Sequence, residues 1–313
     1  MDSPGQNLKG RDLLSLHDFA AEEVAAILDL AAGLKEKQKS GVPHPSLQGK
    51  ALGMIFQKSS TRTRVSFEVA MYQLGGYPMF LSANDLQLGR GESIADTART
   101  LSRYLDGIMI RTFEQAAVEE LARYATIPVI NGLTDLLHPC QILADLLTIR
   151  EHKGTLAGLK LAYVGDGNNI CHSLLFGCAK AGMDISVASP EGYRPKGEIV
   201  RLAVEDAAAA GSKIKVLADP VEAVGGADVV VTDVWASMGH EAERVGRVKA
   251  FAAYQVNDDL VRHAKKDYIF LHCLPAHRGE EVTPEVIDGP HSVVWDEAEN
   301  RLHTQKAVLA LLL

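Results

Sequence analysis

Short apolar runs alternate with amphipathic stretches along this chain of 313 residues. Ala51–Phe56 is a continuous apolar run of strand length, and Leu161–Val164 opens a second series of such runs. Over Val24–Leu34, apolar residues instead recur at helical spacing. Strands that alternate with helices are typical of βαβ units and a parallel sheet, so the pattern predicts an α/β fold.

The predicted elements divide into two series. The apolar runs predict strands at Ala51–Phe56, Ile108–Ile110, Ile127–Ile130, Leu161–Val164, Ile185–Val187, Asp228–Val231 and Tyr268–Leu271. Helical spacing predicts helices at Val24–Leu34, Val65–Leu74, Pro139–His152, Ile170–Ala181 and Ile199–Ala210, and from about Asn300 onward.

The strand–helix rhythm restarts after the break Lys153-Gly154-Thr155, which predicts a domain boundary near residue 150. We expect two domains, residues 1–150 and 151–297, each a mainly parallel sheet flanked by helices. The last helix, about 298–313, has no partner strand after it, so we expect it to pack back on the first domain.

Composition narrows the class of protein. The formal net charge is −8, whereas a nucleic-acid binder usually shows a basic surface. The longest apolar run, Ala307–Leu313, is too short to span a bilayer, and Met1–Gly5 has no signal-peptide pattern, so we expect a cytoplasmic protein without a membrane partner. The four cysteines have no C-x-x-C spacing, which favours reduced thiols over disulfides or zinc.

Six polar clusters follow six predicted strands. Because parallel sheets bind ligands at the carboxyl ends of their strands, clusters from both halves predict one site in the cleft between the domains. The clusters are Ser59–Arg64, Arg111, His138–Gln141, Gly165–Asn169, Asp233 and His272–Pro275.

The run Ser60-Thr61-Arg62-Thr63-Arg64 has the chemistry of an oxyanion site. Hydroxyl groups, two guanidinium groups and the amides of a helix N-terminus all favour phosphate. The alternative without a binding role is a helix cap followed by two solvated arginines. Two arginines interleaved with hydroxyls at a strand-to-helix turn favour the oxyanion site.

Gly165-Asp166-Gly167-Asn168-Asn169 superficially fits a dinucleotide fingerprint. The third glycine of that fingerprint would fall at Ile170, whose bulk would hold the helix off the strand, so we reject this interpretation. Asn168 and Asn169 then serve either as amide donors to a carboxylate or as turn formers, and the sequence leaves both open.

Taken singly, Arg111 fits a surface charge, His138 a structural histidine and Cys273 a small buried hydrophobe. In order along the chain, these clusters together resemble the aspartate/ornithine carbamoyltransferases over nearly the whole length. Two segments, Asn168-Asn169 and the run from Asp233 to Gly239, resemble the ornithine branch of that family. Members of this branch often carry a glutamate where this chain has Gln57.

The resemblance implies carbamoyl transfer from carbamoyl phosphate to the side-chain amine of ornithine, giving citrulline and phosphate in arginine biosynthesis. It implies no metal and no organic cofactor. Implied carbamoyl phosphate ligands are Ser60, Thr61, Arg62, Thr63, Gln87, Arg111, His138, Gln141, Cys273, Leu274 and Arg301. Among them, Arg111, His138 and Thr63 would polarise the carbonyl oxygen. Gln141 and the carbonyls of Cys273 and Leu274 would hold the carbamoyl amide.

For the acceptor, the resemblance implies that Asp233 and Cys273 contact the reacting amine. Asn169 and Met238 would take the α-carboxylate, and Ser237 with Asp233 the α-amino group. An acid in this pocket argues against aspartate as acceptor. The catalytic residues would be Arg111, His138, Cys273 and Asp233.

The resemblance also implies a homotrimer, or a multiple of trimers, in which the loop carrying Gln87 reaches a neighbouring subunit's site. Rival hypotheses are a carbamoyltransferase for putrescine or an acylated ornithine, a dinucleotide-dependent oxidoreductase and a catalytically silent anion-binding relative.

Overall fold

The computed structural model describes residues 8–88, 91–236 and 244–313. The chain forms two compact units, Met1–Leu147 together with Glu299–Leu313, and Thr148–Ala298. Each unit contains one parallel sheet with helices, which confirms the α/β fold class.

Nine strands and twelve α-helices are assigned in the described residues. The strands are β1 (Ala51–Phe56), β2 (Tyr77–Ser82), β3 (Gly107–Arg111), β4 (Val129–Leu133), β5 (Lys160–Val164), β6 (Asp184–Ala188), β7 (Ile214–Leu217), β8 (Val229–Thr232) and β9 (Ile269–His272). The helices are α1 (Ala21–Lys39), α2 (Thr61–Gln73), α3 (Ile94–Leu101), α4 (Gln115–Tyr124), α5 (Pro139–Lys153), α6 (Asn169–Lys180), α7 (Gly197–Ala210), α8 (Pro220–Val224), α9 (Arg244–Phe251), α10 (Asp258–Val261), α11 (Pro284–Ile287) and α12 (Val294–Leu312).

The sheet of the first unit has the strand order β2-β1-β3-β4, all parallel. The chain leaves β1 in one direction to form β2 and returns to form β3 on the other side. The strand order therefore reverses between β1 and β3, and such a switch point opens a crevice at the carboxyl ends of the strands. Ser60 and Arg111 come from the two strands beside this crevice.

The sheet of the second unit has the order β7-β6-β5-β8-β9, again all parallel. Its switch point lies between β5 and β8. The loop Gly165–Asn168 follows β5, and Asp233 follows β8 directly. Cys273 follows the next strand, β9. In each unit, the predicted clusters thus lie at the carboxyl ends of neighbouring strands.

Two strands were missing from the sequence prediction, and both lie at the edge of a sheet. β2 contains Pro78, and most of its residues are exposed or half-buried. β7 is only partly buried, with Lys215 exposed. Edge strands lack the continuous apolar run that marks a central strand, and they tolerate proline because one side needs no hydrogen-bond partner.

The C-terminal part of α12 belongs to the first unit. The ammonium group of Lys35 donates to the side-chain oxygen of Asn300 at 2.7 Å. The backbone amide of Gly10 donates to the carbonyl of Leu312 at 2.9 Å, and Leu313 packs beside Gly107. Which substrate each unit binds stays a prediction. Among the described residues, no helix is long and apolar enough to cross a membrane.

Candidate active site

The oxyanion run forms the start of α2 rather than the loop before it. Ser60 is the N-cap, and its hydroxyl oxygen accepts from the backbone amide of Thr63 at 3.1 Å. The helix begins at Thr61, four residues before the predicted start. The first-turn amides and the positive end of the helix dipole therefore lie within the run itself. Thr61 is exposed and Arg62 is half-buried.

Two buried arginines converge on Thr63. Its hydroxyl oxygen accepts from Arg301 Nη2 at 2.9 Å and from Arg111 Nη1 at 3.3 Å. Arg111 ends β3, whereas Arg301 comes from α12. The structure thus brings together residues that are 238 positions apart in the sequence. Guanidinium groups keep their charge when buried, so this cluster is a fixed positive site.

His138 is buried beside these cations. Burial is the main cause that holds the pKa of His138 well below its ordinary value, and the charges of Arg301 and Arg111 lower it further. Arg62 has a smaller effect of the same sign. His138 is therefore neutral at pH 7, and a neutral imidazole donates one hydrogen bond without adding charge. Burial also raises the pKa of Cys140 to about 12, which makes this thiol inert.

Gln141 is held at both ends of its side-chain amide. Its Nε2 donates to Asp145 Oδ1 at 2.8 Å, and its Oε1 accepts from Arg301 Nη1 at 2.7 Å. A carboxylate can only accept, so Asp145 fixes which end of the amide is the oxygen. Sequence reasoning missed Asp145, although its spacing of four residues from Gln141 on a helix was visible.

Arg64 and Gln57, which lie in or beside the first sequence motif, have contacts outside the Thr63 cluster. Arg64 is exposed, donates to Glu68 at 2.9 Å and stacks over Phe80 at 3.7 Å. It therefore does not join the Thr63 cluster, although it belongs to the same sequence run. Gln57 is exposed and forms a side-chain hydrogen bond with Thr112.

Gln87 is exposed in the loop after β2, in a segment whose residues 89–90 are outside the described residues. Among the described residues of this single chain, no hydrogen bond joins the side chain of Gln87 to the cluster around Thr63.

In the second unit, Asp233 is the centre of the polar cluster. Its Oδ2 accepts from Asn168 Nδ2 at 2.7 Å. Its Oδ1 accepts from the thiol of Cys273 at 3.1 Å and from the backbone amide of Val234 at 2.8 Å. The carboxyl group is buried, and its orientation is set from three sides. The structure thus brings Asp233 and Cys273 together, and their contact with an amine stays a prediction.

The two asparagines have separate positions. Asn168 is the N-cap of α6, and its side-chain oxygen accepts from the amides of Ile170 and Cys171. Asn168 is thus a turn former that also donates to Asp233. Asn169 is the first residue of α6 and is half-buried. Ser237 and Met238 lie outside the described residues.

Gly167 serves a close backbone approach. A Cβ atom placed there would lie 2.2 Å from the backbone nitrogen of Pro195, so the position excludes any larger residue. The side chain of Ile170 is buried. A packing reason thus accounts for this glycine without any bound dinucleotide.

Two groups of described side chains have the spacing of a metal site, and one of them is His277, Glu280 and Glu281. The other lies at the carboxyl ends of β8 and β9. The ligand atoms of Asp233, His272 and Cys273 lie within 4.8 Å of one another. Both ring nitrogens of His272 already have partners, Leu274 N at 2.9 Å and Glu281 Oε1 at 3.3 Å. The group therefore offers a metal two ligands in its present arrangement, whereas zinc sites typically use about three or four protein ligands.

The two clusters have complementary chemistry. The first combines buried cations, helix amides and a neutral histidine, which suits a phosphate and a polarised carbonyl oxygen. The second combines a carboxyl group with a thiol and an amide, which suits an amine.

Two family models match the chain. The carbamoyl-P binding domain of aspartate/ornithine carbamoyltransferase matches residues 11–151, and the Asp/Orn binding domain matches residues 157–312. The ornithine carbamoyltransferase of Carboxydothermus hydrogenoformans is 66% identical over 97% of this chain and 98% of its own length. An anabolic ornithine carbamoyltransferase of Pyrococcus furiosus is 62% identical over 98% of each chain.

Solved structures agree with these sequence matches. The structure of ornithine carbamoyltransferase from Pyrococcus furiosus superposes with a TM-score of 0.95 at 62% identity, covering 97% of both chains. Ornithine transcarbamoylase from Giardia lamblia superposes with a TM-score of 0.87 at 36% identity, covering 96% of this chain and 97% of its own. The order of the motifs, the two sheets and these matches agree, and the chain belongs to the aspartate/ornithine carbamoyltransferase family.

Proposed function

We propose that this chain is an ornithine carbamoyltransferase. The side-chain amine of L-ornithine attacks the carbonyl carbon of carbamoyl phosphate, and a new C–N bond forms. The bond from that carbon to the bridging oxygen then breaks and releases phosphate. The amine loses a proton, which ends on the phosphate, and the other product is L-citrulline, a precursor of arginine. No atom changes oxidation state, and side-chain cations match the phosphate charge, so we propose that neither metal nor organic cofactor takes part.

The observation that carries this proposal is the cationic cluster around Thr63. In our proposal, Ser60, Thr61 and Arg62 bind the phosphate through hydroxyl groups, helix amides and charge. Arg301 completes this pocket, and Arg111 reaches both phosphate and carbonyl oxygen.

The same cluster serves the carbonyl group. Arg111, Thr63 and the neutral His138 donate toward the oxygen, where negative charge develops as the amine attacks. Donors placed this way are worth about 2.7–4 kcal/mol each in the transition state. Gln141 Oε1 and the backbone carbonyls of Cys273 and Leu274 accept from the carbamoyl NH2 group, which has only donors to offer.

The acidic cluster supports ornithine as the acceptor. An ammonium group must lose a proton before it can attack, and the carboxyl group of Asp233 beside the Cys273 thiol is the proposed partner of that amine. Aspartate as acceptor would instead bring a second carboxylate toward Asp233. Asn169 and Met238 bind the α-carboxylate in this proposal, and Ser237 and Asp233 bind the α-amino group.

We further propose a homotrimer, or a multiple of trimers, that works in the cytoplasm. Exposed apolar side chains on α2 and β2 support an assembly, since Tyr72 and Tyr77 keep 77% and 62% of their surface exposed in the single chain. In this proposal, Gln87 completes a neighbour's site. The four cysteines are thiols, which suits a reducing compartment. Ultracentrifugation tests the assembly: a mass equal to one chain of 33.8 kDa would contradict it.

The activity is tested by supplying carbamoyl phosphate with separate amines: ornithine, putrescine, aspartate and N-acetylornithine. We expect ornithine to have the highest kcat/KM and citrulline to be the product. Faster carbamoylation of any other amine would overturn the acceptor assignment. Asn169→Ala is the sharpest variant, because it should raise KM for ornithine while leaving any residual reaction with putrescine, which has no carboxylate, unchanged.

A further inference from the structure

Leu274 has a backbone conformation that leucine avoids. Its φ is 57°, and it is the one residue other than glycine with positive φ among those described. In this left-handed region, a Cβ atom crowds the backbone, so surrounding contacts must hold the residue there. The peptide group between Cys273 and Leu274 is planar, so a contact that holds the Leu274 amide also fixes the direction of the Cys273 carbonyl group. Leu274 continues from that plane in its left-handed conformation.

The buried ring of His272 holds the backbone amide of Leu274, while the leucine side chain packs against the core of the second unit. The backbone amide of Leu274 donates to His272 Nδ1 at 2.9 Å. An accepting Nδ1 carries no proton, so the ring proton is on Nε2, which faces Glu281 Oε1 at 3.3 Å. The tautomer of His272 thus follows from its two neighbours.

Glu281 fixes the other end of the same loop. It is 0% exposed, and its Oε1 also accepts from the backbone amide of His277 at 2.5 Å. One carboxylate oxygen therefore joins the ring at the start of the loop to the main chain five residues later. Between these two points lie Cys273 and Leu274.

We propose that His272 and Glu281 are positioning residues for the carbamoyl amide. They hold the peptide group between Cys273 and Leu274, and with it the Cys273 carbonyl group, in the direction that accepts from the carbamoyl NH2, and they anchor the loop that carries the Leu274 carbonyl group. Neither residue touches a substrate, and both act through the backbone of the loop. This inference rests on the proposed function, because the amide it serves belongs to carbamoyl phosphate.

Acetyl phosphate can distinguish a role in positioning the carbonyl groups from a role in general structural support. It carries a methyl group where carbamoyl phosphate has its NH2, so it cannot donate to a carbonyl group. Its binding should depend on the phosphate cluster alone. Calorimetry with carbamoyl phosphate, acetyl phosphate and inorganic phosphate would therefore measure the carbonyl contacts separately from the cation cluster.

His272→Gln and His272→Asn form a matched pair of variants. The asparagine places its oxygen near the position of Nδ1 and can still accept from Leu274, whereas the longer glutamine places its amide near Nε2. We expect His272→Gln to weaken carbamoyl phosphate binding about tenfold, the usual effect of losing one hydrogen bond, with acetyl phosphate unchanged. His272→Asn should restore most of the preference for carbamoyl phosphate.

The proposal would be overturned if His272→Gln lost affinity equally for all three ligands. It would also be overturned if His272→Gln and His272→Asn bound carbamoyl phosphate equally well. Should His272→Gln fail to bind phosphate at all, Glu281→Gln is measured in the same way. Loss of phosphate binding there as well would assign the pair a structural role only. A wild-type protein that forms no citrulline would instead contradict the proposed function, so the two failures are distinguishable.

Discussion

The two polar clusters differ in how their side chains are held. In the first unit, side chains bond to one another across long stretches of sequence: Arg301 reaches both Thr63 and Gln141. In the second unit, Asp233 is held by the residue that follows it and by groups at neighbouring strand ends, Asn168 and Cys273. The first cluster is cationic and the second acidic.

This difference matches the charge of each proposed substrate. A phosphate needs several donors at fixed positions, and buried arginines bonded to a threonine and a glutamine provide them before the ligand arrives. An amine must lose a proton, and a carboxyl group beside a thiol can take part in that step. The comparison predicts that variants of one cluster impair one substrate and spare the other.

The largest effect is expected from Arg62→Ala. Its positive charge contributes to the field at His138, and in our proposal it binds phosphate at the helix N-terminus. We expect kcat/KM for carbamoyl phosphate to fall about 10³-fold, with ornithine recognition retained. Arg123→Ala, on the exposed surface of α4, is the control and should have little effect. An unchanged rate would remove Arg62 from the site.

Asp233→Asn is expected to act on the other substrate. The amide keeps the size of the side chain but cannot take a proton from the amine. We expect kcat/KM for ornithine to fall about 10²-fold. Calorimetric binding of phosphate should equal that of the wild type. Asp259→Asn, an exposed carboxylate of the same unit, controls for the change in charge. Weaker phosphate binding in Asp233→Asn would break the division between the clusters.

A smaller loss is expected from Asp145→Asn. The carboxylate orients Gln141 by accepting from its Nε2, and an amide at position 145 would let Gln141 rotate its oxygen away from Arg301. Losing one charged hydrogen bond predicts about a tenfold drop in kcat/KM for carbamoyl phosphate.

The control for Asp145→Asn is Asp106→Asn, which removes a carboxylate paired with Lys50 just before β3, at the opposite end of that strand from Arg111. If both variants lose the same activity, charge rather than orientation is responsible.

The smallest effect on activity is expected from Lys306→Met. Lys306 is 0% exposed on α12, its ammonium group lies 3.2 Å from His44 Nε2, and burial lowers its pKa to about 8. In the unfolded chain the pKa returns to about 10.5. Below pH 8 both states are protonated and burial of the charge destabilises the fold. Between pH 8 and 10.5 the unfolded state binds more protons, so wild-type stability rises with pH.

Lys306→Met removes that dependence. At pH 7 we expect the variant to be more stable by about 3 kcal/mol, and the difference should disappear by pH 10.5. Urea unfolding at both pH values measures this. Citrulline formation at pH 7.5 should be unchanged. Such a result would show that a buried cation outside the cluster around Thr63 does not contribute to the reaction. A difference in stability that does not depend on pH would contradict the pKa of Lys306.

The sequence predicted the central strands and the strand-end clusters, because both depend on local patterns. β1 covers the same residues as predicted, Ala51–Phe56, since a strand buried on both faces is apolar throughout. The order of the strands could not be predicted from local sequence patterns, because strand pairing depends on contacts between residues far apart in the chain. The sequence did not predict β2, because its residues are partly exposed to solvent.

The residues that orient the site were harder to predict than those proposed to touch substrate. Asp145 resembles any polar position on a helix, and Glu281 lies outside every motif. Their roles appear only in the hydrogen bonds to Gln141 and His272. Burial is the main cause of the lowered pKa of His138, and the further effect of Arg301 comes from a residue that lies far away in the sequence.

The first unit includes Glu299–Leu313, which are translated long after the rest of the unit, and this has a consequence for protein synthesis. Arg301 is translated 160 residues after its partner Gln141. At roughly 5–20 residues per second, the ribosome needs about 10–30 s to make that stretch. During this interval the nascent first unit has Thr63 and His138 but neither Arg301 nor Asn300, the partner of Lys35. The cluster around Thr63 therefore assembles only after residue 301 has been made, and a chain terminated before that residue lacks it.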